Sequence, residues 1–157
     1  MSANVLFVCW GNICRSPMAE RVAQRYAEKE SLPGVTFSSA GVSDEERGHP
    51  IDPRAAKVLA EAGYSAQGHT AHKVTAEEAL AAAMVVGMED IHLERVRRIA
   101  PGASNLYLLS NFDPDAAPGQ DIPDPWYGPD SEFPKTLRSI EAAMPGLIRR
   151  CRDFAGQ

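Results

Sequence analysis

The chain has 157 residues, 44% hydrophobic and 24% charged, with a formal net charge of −5. That length suits one domain, expected over 1–157, and no apolar run reaches the length of a membrane span. The acidic balance argues against nucleic acid or a membrane as partner, and three cysteines without a signal-peptide layout argue for a reducing, cytoplasmic setting rather than a disulfide framework.

The first predicted element is a buried strand, Val5 to Val8, which stops at Cys9. Arg15, Ser16 and Pro17 follow, and an amphipathic run with Met18, Val22 and Tyr26 on one face predicts a helix to about Glu30. Cys-x5-Arg-Ser between a strand and a helix is a phosphate cradle with a sulfur at its floor. A five-residue loop can curl so that its backbone N–H groups point inward and bind phosphate oxygens, and the helix N-terminus adds its positive end. Gly11 allows close backbone approach, and Asn12 tolerates a left-handed conformation while its side chain ties the loop together. Arg15 offers a planar fork matched to two phosphate oxygens. The same field favours a thiolate at Cys9, to which Ser16 can donate its hydroxyl, and such a sulfur is placed for in-line attack on phosphorus. A zinc site from Cys9, Cys14, His69 and His72 is the alternative, but Arg15 would set a cation against the metal.

CWGNICRSPMAE after VLFV resembles the active-site signature of the low-molecular-weight protein tyrosine phosphatases, and the resemblance extends over nearly the whole chain. It implies that Cys9, Arg15 and an aspartate further on are catalytic. Trp10, Gly11, Asn12, Ile13, Cys14 and Ser16 would form the phosphotyrosine-binding loop, with no metal and no cofactor. Its ligands would be a phosphotyrosine-containing protein, a small aryl phosphate, or inorganic phosphate or a similar oxyanion. In the family the counterpart of Cys14 forms a reversible disulfide with the nucleophile; packing under the loop is the other role for Cys14.

Pro33-Gly34 turns the chain into a second strand, Val35 to Ala40. The resemblance assigns Ser39, at its end, to a hydrogen-bond network supporting the loop; by itself it reads as a turn former. The polar loop 42–52 would set part of the pocket wall, and it lacks the aromatic residue that many relatives carry there. Asp52-Pro53 starts a helix with Ala55, Val58, Leu59 and Ala62 inward, ended by Gly63. His69 matches a family histidine that hydrogen-bonds the loop asparagine, here Asn12; without the resemblance it is a surface histidine.

Thr75 and Glu78 form a capping box before a short helix. Ala83 to Gly87 is a third strand, Met88-Glu89 opens a helix to Pro101-Gly102, and Asn105 to Leu109 is a fourth strand. His92 stands where the family usually has asparagine. The proline-rich stretch 110–129 is too long for a mere connection. Its Asp-Pro-Trp-Tyr-Gly segment matches the family's general acid at Asp124. A phenolate is a poor leaving group until protonated, and Trp126 and Tyr127 can flank an aromatic ring. The last segment, Ser131 to Phe154, carries a helical apolar stripe, with a kink or break expected at Pro145-Gly146.

The order β-α-β-α-(α)-β-α-β-α predicts an α/β fold: a doubly wound sheet of four parallel strands with helices on both faces, and a ligand site at the carboxyl ends of the strands. Cys9, Ser39 and the Asp124 loop all fall at that end. The rival readings are arsenate reduction, a phosphoarginine phosphatase and a non-catalytic phosphotyrosine-binding module. The first needs a resolving cysteine pair in the middle of the chain, where none stands. In relatives of the second, threonine commonly replaces Ile13. The third would be expected to lose Cys9 or Asp124.

Overall fold

The computed structural model describes residues 3–154. Its elements run β1 (Ala3–Cys9), α1 (Arg15–Lys29), β2 (Val35–Gly41), α2 (Pro53–Glu61), α3 (Ala76–Ala81), β3 (Met84–Gly87), α4 (Asp90–Ile99), β4 (Leu106–Leu108) and α5 (Glu132–Cys151). Short 3-10 turns cover Leu109–Phe112 and Pro125–Tyr127. The four strands form one parallel sheet in the order β2-β1-β3-β4.

β1 is apolar throughout because both its faces are covered, as parallel strands require. Val5, Phe7 and Cys9 enter the core built with α1, α2 and α5. Leu6 and Val8 enter a second core with α3 and α4. β1 leads to β2 on one side while β3 lies on the other, so the strand order reverses at the end of β1 and opens a crevice there.

Helix starts follow local chemistry. Asp52 caps α2 by accepting from Arg54 N at 2.8 Å, with Pro53 in the first turn. Thr75 and Glu78 make the reciprocal capping box of α3. α4 begins with an unusual box in which Glu89 N–H donates to His92 Nδ1 at 3.0 Å.

Three expectations are corrected. A break at Pro145-Gly146 does not occur: α5 is continuous from Glu132 to Cys151. Met144, Leu147 and Ile148 are buried on both sides of the proline, and this burial outweighs the lost backbone bond. Gly146 serves close packing, because a Cβ there would collide with the Phe112 carbonyl. Ala62 is an exposed C-cap rather than an inward residue of α2, since the helix has already ended. The fourth strand stops at Leu108, and Leu109 turns into the 3-10 segment.

Candidate active site

Cys9 ends β1, and residues 10–14 carry the chain over it to α1. No side chain caps α1 at Cys14. Asn12 holds the loop in shape at φ 62°, a left-handed conformation that asparagine tolerates. Its Nδ2 donates to Ser16 Oγ at 2.8 Å, its Oδ1 accepts from His72 N at 3.2 Å, and its carbonyl accepts from His69 Nε2 at 2.6 Å. Burial, opposed by that last bond, pushes the His69 pKa down, so the ring is a neutral donor to the loop at neutral pH.

Ser16 Oγ is 2.9 Å from Cys9 Sγ and 3.5 Å from the Ala40 carbonyl. Its oxygen already accepts from Asn12, so its own proton is left for the sulfur, the nearer acceptor. The segment just past β2 supports the loop: Val42 N donates to the Cys9 carbonyl at 2.9 Å and Ser43 N to the Trp10 carbonyl at 3.0 Å. Gly41 must be glycine for this approach, because a Cβ there would stand 2.9 Å from the Trp10 carbonyl oxygen.

Arg15 is 1% exposed. Its Nη1 donates to Glu89 Oε2 at 2.6 Å and to the Ile122 carbonyl at 2.7 Å, and its Nη2 lies 3.4 Å from Asp124 Oδ2. His92 is fully buried beside it, with Nε2 3.5 Å from Arg15 Nη2 and 3.6 Å from Glu89 Oε2. Because His92 Nδ1 accepts from the Glu89 amide, the neutral ring carries its proton on Nε2, facing Glu89. Burial first, and the Arg15 charge second, push its pKa down to about 3. Asp124 caps the second 3-10 turn, with Oδ1 accepting from Trp126 N at 3.0 Å, and this leaves Oδ2 toward Arg15.

Cys9, Arg15 and Asp124 share one pocket. Cys9, Trp10, Gly11, Ile13, Cys14 and Arg15 form its floor and one side, and Asp124, Trp126 and Tyr127 the other. Trp126 and Tyr127 pack edge to face, with ring centroids 5.0 Å apart. Trp10 is gripped at both ends: Arg95 stacks on the ring at 4.6 Å, and Nε1 donates to Glu45 Oε2 at 3.1 Å. A buried cation, a sulfur, a carboxylate and aromatic side chains lining one pocket can hold a phosphate ester of an aromatic alcohol. The sequence model of the low molecular weight phosphotyrosine protein phosphatases matches residues 4–154.

The chain belongs to that family.

It is 39% identical over 158 residues to a low molecular weight protein-tyrosine-phosphatase of Streptomyces coelicolor, covering 98% of this chain and 96% of the relative. A protein tyrosine phosphatase from Entamoeba histolytica with Hepes in its active site superposes with a TM-score of 0.90, at 26% identity over 98% of this chain and 99% of that one. Vibrio vulnificus Wzb in complex with benzylphosphonate gives 0.83, at 28% identity over 96% and 99%. As a member, the phosphatase is a metal-independent hydrolase of phosphotyrosine that works through a cysteinyl-phosphate.

Two of the residues assigned to phosphate binding, Asn12 and Ser16, have fully buried side chains that brace the phosphatase loop from beneath. His69 reaches the Asn12 carbonyl, not its side chain; the side-chain oxygen is taken by the His72 backbone. Ser39 donates to Glu20 Oε1 at 2.7 Å and does not itself touch the loop. The connection runs through Glu20, whose charge acts on His69. Glu20 is therefore a supporting residue that sequence reasoning passed over, although it closes the CWGNICRSPMAE motif. Glu89 was visible only as a helix start and His92 only as a departure from the family pattern. Their spacing, three residues apart at a helix start, was the available signal. Glu45 and Glu46, which also line the pocket, gave no sequence signal beyond the missing aromatic in loop 42–52.

Proposed function

We propose that Cys9, Arg15 and Asp124 carry out the phosphatase reaction in two steps. In the first, the Cys9 thiolate attacks phosphorus, the bond to the tyrosine oxygen breaks, and Asp124 gives that oxygen a proton. Arg15 and the loop amides hold the equatorial oxygens. In the second, Asp124 as a carboxylate takes a proton from water, the water oxygen bonds phosphorus, and the sulfur leaves as a thiolate that accepts the Ser16 hydroxyl bond. The observation that carries this reading is that Arg15 Nη2 lies 3.4 Å from Asp124 Oδ2 in the pocket that Cys9 floors. The carboxylate and the guanidinium therefore meet in the same pocket as the sulfur.

The substrate is a phosphotyrosine side chain of a protein, with small aryl phosphates as simpler substitutes and free phosphate as a bound oxyanion. Trp10, Trp126 and Tyr127 supply the aromatic surfaces, and Ile13 an apolar contact for the ring. One catalytic domain over 1–157 is supported by the family match across residues 4–154. Three free cysteines support a reducing, cytoplasmic setting, and among the described residues no helix is long and apolar enough to cross a membrane.

The test is phosphate release, with EDTA present, from phosphotyrosine, phosphoserine and phosphoarginine peptides by the wild-type, Cys9→Ser and Asp124→Asn proteins. Release from phosphotyrosine alone, lost in Cys9→Ser and slowed in Asp124→Asn, is expected. Full turnover by Cys9→Ser would overturn the mechanism.

A further inference from the structure

Beside Trp10 and Gly11 the pocket lining is acidic. Glu45 and Glu46 both line the pocket that holds Cys9, and each is fixed to the loop beside the sulfur. Glu45 Oε2 accepts from Trp10 Nε1 at 3.1 Å, and the Trp10 ring is held from behind by Arg95. The stem of Glu46 lies over Gly11, where an added Cβ would stand 3.1 Å from its Cγ. Trp10 and Gly11, the two residues that leave Cys9, thus help set both positions, and Glu46 Oε2 also lies 2.6 Å from Nδ1 of the exposed His49. The one cation among the pocket's lining residues is Arg15, already shared by Glu89 and Asp124. Arg95 is turned away, with its Nε donating to the Val42 carbonyl.

We infer that Glu45 and Glu46 select substrates with a lysine or arginine next to the phosphotyrosine. The inference rests on the phosphotyrosine reading of the pocket given above. When the ring stands between Trp10 and Trp126 with its phosphate in the loop, the flanking peptide residues come to the pocket rim. Successive residues of an extended peptide are about 3.3 Å apart, so a neighbouring side chain reaches Glu45 or Glu46 without a turn. A cation there pairs with carboxylates that line the same pocket as the phosphate-binding loop. An acidic neighbour adds like charge, and the mismatch rejects it.

The experiment uses phosphotyrosine peptides that differ only at the residues immediately before and after the phosphotyrosine, carrying Lys, Ala or Glu. kcat/KM is measured for the wild type, for Glu45→Gln, for Glu46→Gln and for the double variant, at low and high salt. The expected order is Lys above Ala above Glu, with Lys over Glu by about three- to tenfold at low salt. High salt compresses the ratio, and the double variant brings it close to one. Equal turnover of the three peptides by the wild type overturns the inference, as does a preference that persists in the double variant. No turnover of any peptide by a folded wild type would instead sink the phosphatase reading itself, so the two failures are separable.

Discussion

Ser16 aims its hydroxyl at Cys9: the oxygen is 2.9 Å from the sulfur, while Asn12 donates to that oxygen from 2.8 Å and thereby sets the direction of the proton. In the proposed reaction this bond stabilises the Cys9 anion, which both attacks and leaves. Ser16→Ala should lower kcat about ten- to a hundredfold, the worth of one hydrogen bond to a charged group, with KM changed much less. Stopped-flow measurement of the burst of phenol release, alongside steady-state turnover, separates the attack from the breakdown of the intermediate. A Ser16→Ala enzyme with wild-type kcat would refute the role.

Asp124 has one oxygen committed to Trp126 N and the other near Arg15. Asp124→Asn should therefore slow esters of poorly acidic phenols by about a hundredfold or more, and esters of acidic phenols far less. The check is a series of aryl phosphates of graded leaving-group acidity. The plot of rate against phenol pKa should steepen in the variant. Parallel plots would mean that the leaving oxygen takes its proton elsewhere.

Buried His92 links acid stability to the site. Its ordinary pKa of 6.5 falls to about 3 in the fold, through burial and then the Arg15 charge. Between those values the unfolded chain binds a proton that the folded chain does not. The stability from this group is thus whole above 6.5 and is lost as pH falls toward 3, by at most about 1.4 kcal/mol per pH unit. His69 is displaced in the same direction and adds to the loss. His92→Asn should make the fall in urea midpoint between pH 6 and 4 shallower. Curves of equal slope would contradict this.

Reactivity toward alkylation should separate the three thiols. Burial raises the Cys14 pKa, with the Asp52 and Cys9 charges adding to it, and burial raises that of Cys151 to about 11. Iodoacetate at neutral pH should then modify Cys9 in the pocket and spare the other two, with phosphate protecting. Peptide mass mapping reads the outcome, and preferential labelling of Cys14 would overturn it.

Gly41→Ala should push the loop away from β2, because the new Cβ meets the Trp10 carbonyl oxygen at 2.9 Å. Overpacking of this kind costs about 1–3 kcal/mol. A weaker inhibition constant for phosphate or vanadate together with a lower melting temperature is expected. Unchanged inhibition in a destabilised protein would show that the loop absorbs the strain.

What the sequence made legible was local. β1, α1 and the spacing from Cys9 to Arg15 depend on adjacent residues, and so do the caps at Asp52 and Thr75. The parallel sheet followed from element order. The groups that restrain Arg15 were not legible, because Glu89 and the Ile122 carbonyl come from distant segments and a carbonyl has no residue-type signature. The long-range packing of Gly146 against Phe112 likewise hid the continuity of α5 behind a proline that locally reads as a breaker. Ser39 could be placed beside the loop by strand position, but its choice of Glu20 as partner depends on α1 lying across β2.

The separation between Arg15 and the Ile122 carbonyl is 107 residues, and this has a bearing on synthesis. A ribosome makes the sulfur-bearing loop well before the carbonyl that restrains its guanidinium, which comes 107 residues after Arg15 with Asp124 just beyond it. A nascent chain therefore carries an incomplete site for most of its elongation. Products that end before Ile122 would hold Arg15 without the carbonyl that restrains it and would lack Asp124, so the restraint and the carboxylate arrive late and together.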